Sequence, residues 1–304
     1  MMKHRELQGP VGIVANVSKE NAADAIREAM AALEERGMAW RLEQATAACI
    51  GRAEEGLPFP KLVRAVTWLM AIGGDGTILT TVRETAGCDI PLLGVNPGHS
   101  LGFMTDTLLE DLPATLDDIC QNQVDIIERH TLRATMYGAK DQEVMELPPA
   151  LNDVAFVHGA QARLIVLDVM VNGAFFTTYA ADGLIIATAT GSTGHSMSAG
   201  GPILFPSTEA MVLTPICPHT LTNRPIILPR GYQIDVRVGA PARDVYVSVD
   251  GQVVRPLGVE GRVVVELGTY RARFIHSKRR SFIDVLREKL HWRGDLRGVG
   301  KSGG

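Results

Sequence analysis

A change of periodicity near residue 124 constrains the fold of this chain more than any other feature. Before it, short apolar runs alternate with stretches of helical period; after it, helical period nearly disappears. "VGIVANV" (11–17) reads as a strand and "ENAADAIREAMAALEERG" (20–37) as a helix closed by Gly37. "AVTWLMAIG" (65–73) and "IPLLGVN" (90–96) are continuously apolar, as strands covered on both faces are. Helices are expected over 77–87, weakened by its β-branched residues, and over 108–123. Such alternation predicts a parallel sheet flanked by helices. Residues beyond 124 are rich in Val, Ile, Thr and aromatic side chains, and are punctuated by the hairpin pairs Asn172-Gly173 and Asp250-Gly251. The expected architecture is an α/β domain over 1–124 and an all-β, sandwich-like domain over 125–280. In the segment 281–304, "SFIDVLREKLHW" (281–292) forms a helix that returns to the N-terminal domain, followed by a flexible tail.

Charge and composition then exclude several partners. The net charge is −4, with no Arg/Lys stripe interleaved with aromatics, so no nucleic-acid surface is expected. "KRR" (278–280) reads as a solvated approach to the last helix. No apolar stretch reaches the ~18–20 residues of a membrane helix, and the first residues, "MMKHRELQGP", lack a signal-type apolar region. Cys49, Cys88, Cys120 and Cys217 are widely spaced, which predicts reduced core thiols, no zinc ribbon and a cytoplasmic location.

The chemistry is concentrated at "AIGGDGTIL" (71–79), where an apolar strand gives way to a helix. Glycines permit positive φ and close backbone approach, so N–H groups near Gly73, Gly74 and Gly76 can face an anion. The loop stands at the carboxyl end of a parallel strand, where open α/β sheets bind ligands. Neither the Gly-Lys-Ser/Thr ending of a Walker A loop nor Gly-x-Gly-x-x-Gly is present. Asp75 therefore has three readings. It is a base toward a substrate hydroxyl, a partner to a metal bridging phosphates, or a turn aspartate capping the helix that starts near Thr77.

A second dense stretch, "DGLIIATATGSTGHSMSAGGPI" (182–203), carries many glycines and small hydroxyl residues. These are poor core material and suit close approach and hydrogen bonding to a sugar or phosphate; the bland alternative is an ornate loop between domains. In "LND" (151–153), Asn152 can read an adenine edge and Asp153 can accept from ribose hydroxyls, although such a pair also suits a plain turn.

Taken together in order, these stretches resemble the NAD kinase family. They are Gly-Gly-Asp-Gly-Thr (73–77), "GVNPGHSLGFMTD" (94–106), "LNDV" (151–154), the 182–203 stretch, "PHTLTNRPIILP" (218–229), "VSVDGQ" (247–252) and "FIDVLREKLHW" (282–292). The resemblance covers roughly residues 11–292. Lipid kinases share the first motif and not the later ones. The resemblance implies transfer of a phosphoryl group from ATP, or from polyphosphate, to the 2′-hydroxyl of the adenosine ribose of NAD. It implies Asp75 as the base, with Gly74, Gly76 and Thr77 beside it. Asn152 and Asp153 would hold adenine and ribose, and Phe103 would supply an aromatic ring to the NAD pocket. Arg163, Asp182 and Gln252 take family NAD-binding positions, and Thr193, Gly194, His195, Ser196 and Ser198 form the adenine-side loop. Mg²⁺ or another divalent cation accompanies ATP, and the assembly is a homodimer or homotetramer. Alternatives are a kinase of this fold acting on NADH or another adenine nucleotide, and a non-catalytic dinucleotide sensor.

The sequence departs from the family pattern at three places. Asn152-Asp153 stands for the usual Asn-Glu, which retracts the carboxylate by one methylene. Thr-Ala-Thr-Gly-Ser-Thr-Gly-His (188–195) replaces Thr-Pro-Thr-Gly-Ser-Thr-Ala-Tyr, so Ala189, Gly194 and His195 are changed. "NPGHSLGF" is one residue longer than usual, which predicts a bulge at His99-Ser100 or a displaced Phe103.

Overall fold

The computed structural model describes residues 7–98, 102–105, 107–139, 144–159, 164–220, 222–239 and 244–292. Arg163, the expected bulge at His99-Ser100 and the tail beyond residue 292 lie outside them. The chain divides into two compact units, Met1–Ile78 with Ile90–Ile127 and Phe274–Gly304, and Leu79–Asp89 with Glu128–Arg273.

In the first unit the chain runs β1 (Val11–Ala15), α1 (Ala22–Glu34), β2 (Trp40–Glu43), α2 (Gln44–Cys49), β3 (Gly56–Leu57), α3 (Phe59–Ala65) and β4 (Trp68–Ile72). Next come α4 (Asp75–Glu84), which continues into the second unit, then β5 (Pro91–Asn96), β6 (Thr107–Leu108) and α5 (Leu112–Cys120). The sheet order β5-β4-β1-β2-β3 is parallel throughout, as strand-helix alternation requires. All five residues of β4 are buried, which explains their unbroken apolar run. Helix α1 buries Ala22, Ala25, Ile26, Ala29, Met30 and Leu33, the three-and-four spacing of one helical face. That face joins Ile13, Trp68, Met70, Leu93 and Leu116 in one core.

The remaining strands are β7 (Asp125–Tyr137), β8 (Val144–Glu146), β9 (Asp153–His158), β10 (Ile165–Val171), β11 (Ala174–Ala181) and β12 (Gly183–Thr188). After the single turn α6 (His195–Ser198) come β13 (Ala210–Ile216), β14 (Ile226–Pro229), β15 (Gln233–Val238), β16 (Val245–Val249), β17 (Val253–Leu257) and β18 (Arg262–His276). Strands β14-β13-β12-β9-β16-β17 form one antiparallel sheet, and β11-β10-β15-β18 are likewise antiparallel neighbours. Inward-facing Val154, Phe156, Leu167, Val169, Val236, Val247 and Val263 make the core between them. Both foreseen hairpin turns have positive φ at each central residue, Asn172 49° and Gly173 78°, Asp250 52° and Gly251 67°, as type I′ turns require.

The last helix, α7 (Phe282–Lys289), belongs to the first unit, with Val285 packed against Leu108 and Phe103. Its start is fixed by a capping box: Ser281 Oγ accepts from the Asp284 N–H at 3.2 Å, and Asp284 Oδ2 accepts from the Ser281 N–H at 3.0 Å. Replacing Ser281 by Ala is expected to lower unfolding stability by about 1 kcal/mol in thermal denaturation. The "KRR" cations each face an acid of the same unit: Lys278 with Asp125, Arg279 with Asp118 and Arg280 with Asp111.

The expectation of core thiols is corrected. Cys49 is half-buried, and Cys88, Cys120 and Cys217 are exposed, because each of these three follows the end of a helix or strand or closes one.

Candidate functional site

The functional residues fall into one group in each unit. In the first, the chain leaves β4, turns through Gly73 and Gly74, and enters α4 at Asp75. None of Gly73, Gly74 and Gly76 has positive φ; of the two uses of glycine, these positions answer to space. A Cβ on Gly73 would stand 2.2 Å from Thr77 Oγ1, whereas one on Gly74 or Gly76 would meet nothing within 4 Å. Gly73 thus lets the turn close, and Gly74 and Gly76 leave open space where side chains would otherwise stand.

Asp75 does not cap its own helix. Its Oδ2 accepts from the Phe103 N–H at 2.9 Å, and its Oδ1 accepts from the Met104 N–H at 3.1 Å and the Thr105 hydroxyl at 3.3 Å. Gly102 stands beside it, where a Cβ would come 2.0 Å from Asp75 Oδ1. Three donors fix the carboxylate and leave about one of its four lone-pair sites for a ligand. The Phe103 ring faces α7, tilted 52° to Phe282 with centroids 6.5 Å apart. Phe103 gives its N–H to Asp75, and its half-buried ring packs beside Leu108 and Val285.

In the second unit, Leu151-Asn152-Asp153 is gripped from two sides. On one, Asp250 accepts from all three N–H groups, Leu151 at 2.9 Å, Asn152 at 2.7 Å and Asp153 at 3.0 Å. On the other, the Thr188 hydroxyl donates to the Leu151 carbonyl at 2.6 Å and the Thr188 N–H to the Asn152 carbonyl at 2.8 Å. Gly191 lies so close that a Cβ would sit 2.0 Å from the Asn152 carbonyl oxygen. Gly194 flanks the Asn152 amide, which would be 3.6 Å from an added Cβ.

Asp153 is 5% exposed. Burial, and then the neighbouring Asp250 charge, push its carboxyl up to about 7. Burial also raises Asp250, opposed by its three N–H donors and by Arg83. For Asp153 the folded value lies above the ordinary carboxyl range, so the stability it lends is full below about pH 4 and is lost as pH rises through about 7. The gap corresponds to roughly 4 kcal/mol. Asp153→Asn is therefore expected to raise the melting temperature at pH 8 and to change it much less at pH 5.

The stretch 188–198 behaves differently from its sequence reading. Thr188, Thr190, Ser192, Thr193 and Ser196 are all buried. Ser192 Oγ donates to the Ala189 carbonyl at 2.6 Å, Thr193 Oγ1 donates to the Thr190 carbonyl at 3.0 Å, and Ser196 and Thr214 hydroxyls pair at 2.9 Å. Small hydroxyls are good core material when the backbone of their own loop satisfies them. The side chains that face outward are His195 and Ser198, with Gly194 half-buried. Asp182 is half-buried, its N–H on the Ile216 carbonyl at 3.0 Å. Gln252 is exposed, yet its Oε1 accepts from the Thr80 hydroxyl at 3.1 Å and from Arg83. The sequence singled out neither Gly102 nor Thr105, and it marked Thr188 and Gly191 only as members of the 182–203 stretch. Asp250 stood out there only as a hairpin residue within "VSVDGQ" (247–252), because its partners lie 97 to 99 positions away.

Among the described residues no three His, Cys, Asp or Glu side chains come together as a metal site, and no helix is long and apolar enough to cross a membrane.

Residues 59–124 match the ATP-NAD kinase N-terminal domain, and residues 151–277 match the ATP-NAD kinase C-terminal domain. A NAD kinase of Desulforamulus reducens is 38% identical over 287 residues, covering 94% of this chain and 99% of the relative. A NAD kinase of Geobacter sulfurreducens is 39% identical over 282 residues, covering 93% and 98%. Yeast NADH kinase, solved with NADH, superposes with a TM-score of 0.86 at 25% identity, over 96% of this chain and 89% of that one. An Archaeoglobus fulgidus NAD kinase solved with ATP shares the fold, with a TM-score of 0.69 at 24% identity, over 93% and 97%.

Proposed function

The chain belongs to the NAD kinase family and is a phosphotransferase that makes NADP from NAD and ATP, and we propose that Asp75 is its base. The observation that carries this role is the contrast within one loop. Asp75 is held by three donors, while at Gly74 and Gly76 on either side of it a side chain would meet nothing within 4 Å. The open space beside these two glycines admits the close approach of phosphate oxygens, and the held carboxylate suits a single acceptor hydroxyl. In the step, the 2′-oxygen of the adenosine ribose gives its proton to Asp75 and bonds to the γ-phosphorus. The bond from that phosphorus to the β-γ bridging oxygen breaks, and ADP leaves. A carboxylate is a weak base, but phosphoryl transfer draws mainly on positioning and charge stabilisation.

Mg²⁺ or another divalent cation enters as part of the substrate, on the ATP phosphates. The one lone-pair site left on Asp75 goes to the acceptor hydroxyl, so phosphate oxygens and water would supply the cation's ligands on this side of the loop. Asn152 and Asp153 would hold adenine and ribose, with Gly194, His195 and Ser198 as the accessible part of the adenine-side loop. Thr193 and Ser196 would act by shaping that loop, and Gln252 by holding α4. The exposed free thiols Cys88, Cys120 and Cys217 suit a reducing compartment such as the cytoplasm. Assembly as a homodimer or homotetramer rests on the family resemblance.

The test is direct. Purified protein with Mg-ATP and NAD is expected to form NADP, read through an NADP-specific dehydrogenase. Parallel arms replace ATP by polyphosphate and NAD by NADH. No phosphorylated product in any arm would leave the sensor reading standing and overturn the kinase.

A further inference from the structure

The turn between β16 and β17 touches two functional segments at once. At its first corner Asp250 accepts from the N–H groups of Leu151, Asn152 and Asp153, and its own N–H donates to the Asp153 carbonyl at 2.9 Å. At its far end Gln252 holds Thr80 and Arg83 of α4. Strand β9 begins only at Asp153, so Leu151 and Asn152 precede its ladder, and the Asp250 carboxylate is the acceptor for their N–H groups. A hairpin needs no carboxylate at this corner; glycine or asparagine serves a type I′ turn equally well.

We propose that Asp250 is a positioning residue for the adenosine part of NAD. By holding three successive N–H groups it fixes the direction in which the Asn152 and Asp153 side chains leave the backbone. This rests on reading Asn152 and Asp153 as the adenosine-binding pair. A second consequence follows from charge. The groups facing one another are Arg83 from α4, Asp250 from the turn and Asp153 from β9. Removing the Asp250 charge takes away the repulsion on Asp153, which then stays ionised to lower pH and keeps accepting from ribose hydroxyls there.

Two variants separate this role from a merely structural one. Asp250→Gly removes the acceptor while accepting the positive φ without strain. Asp250→Asn keeps the turn and one acceptor oxygen but removes the charge. Asp250→Gly is expected to raise KM for NAD about tenfold, the equivalent of ~1.4 kcal/mol, with KM for ATP and kcat nearly unchanged. Asp250→Asn is expected to give an intermediate rise at pH 8. The pH below which its KM for NAD climbs is expected to lie lower than in the wild type. An unchanged KM for NAD in Asp250→Gly, an equal rise in both KM values, or an unmoved pH dependence in Asp250→Asn would each overturn the proposal. If Asp250→Gly does not fold, Asp250→Asn decides alone. Asn152→Ala run alongside distinguishes the two levels. A normal KM for NAD there removes the adenosine reading itself, whereas a raised KM there with a normal one in Asp250→Gly removes this inference only.

Discussion

Asp75→Asn is expected to lower kcat by about 10²- to 10⁴-fold, the range for losing a general base, while NAD still binds. Geometry explains why the loss should appear in kcat. The carboxylate is already oriented by the Phe103 and Met104 N–H groups and the Thr105 hydroxyl, so the variant changes chemistry at a fixed place. An amide oxygen can replace Oδ1 and keep the Met104 and Thr105 donors. The amide nitrogen must then face the Phe103 N–H, donor against donor, at a cost of about 1–3 kcal/mol. Two signatures should therefore come together: near-complete loss of NADP formation, and a modest drop in melting temperature. Calorimetric titration with NAD should give a dissociation constant within a few-fold of the wild type. A wild-type kcat would remove Asp75 from the role of base, and lost NAD binding would show that it serves binding instead.

Gly102→Ala is the second large effect, and it comes from a residue that need not touch substrate. The added Cβ would stand 2.0 Å from Asp75 Oδ1, 2.7 Å from Asp75 Cγ and 2.4 Å from Thr105 Oγ1. Gly102 has no positive φ, so alanine suits its backbone, and the clash falls on the Asp75 carboxylate and on the Thr105 hydroxyl that donates to it. Asp75 must swing away, and a displacement of roughly 1 Å is worth about 10²-fold in rate. The double variant Asp75→Asn with Gly102→Ala should be no slower than Asp75→Asn alone, since both act through one group. A Gly102→Ala enzyme with kcat within twofold of the wild type, or losses that multiply in the double variant, would refute the coupling.

Much of the fold was legible because its cause is local. The buried run of β4, the one-faced spacing of α1 and the Asn-Gly and Asp-Gly turns each state their structure within a few residues. The short elements α2, α3, β2 and β3 were not read, since two to seven residues carry too little period to recognise. The burial of the hydroxyls in loop 188–198 was not legible for another reason. Threonine and serine look like ligand donors in a sequence, and only the folded loop shows that Ser192 and Thr193 donate to carbonyls of that same loop. Phe103 likewise could not announce that its N–H matters to Asp75 while its ring belongs with Phe282.

By itself, then, the sequence determined the layered architecture, the family and the identity of the acid in the glycine loop, because period, turn chemistry and motif are short-range properties of the chain. Tertiary structure alone decided what holds that acid and what holds Asn152 and Asp153. Those partners, Phe103 through Thr105 and Asp250, are 28 to 99 residues distant. Hydrogen bonds over that separation depend on strand register and loop closure, which no local pattern encodes.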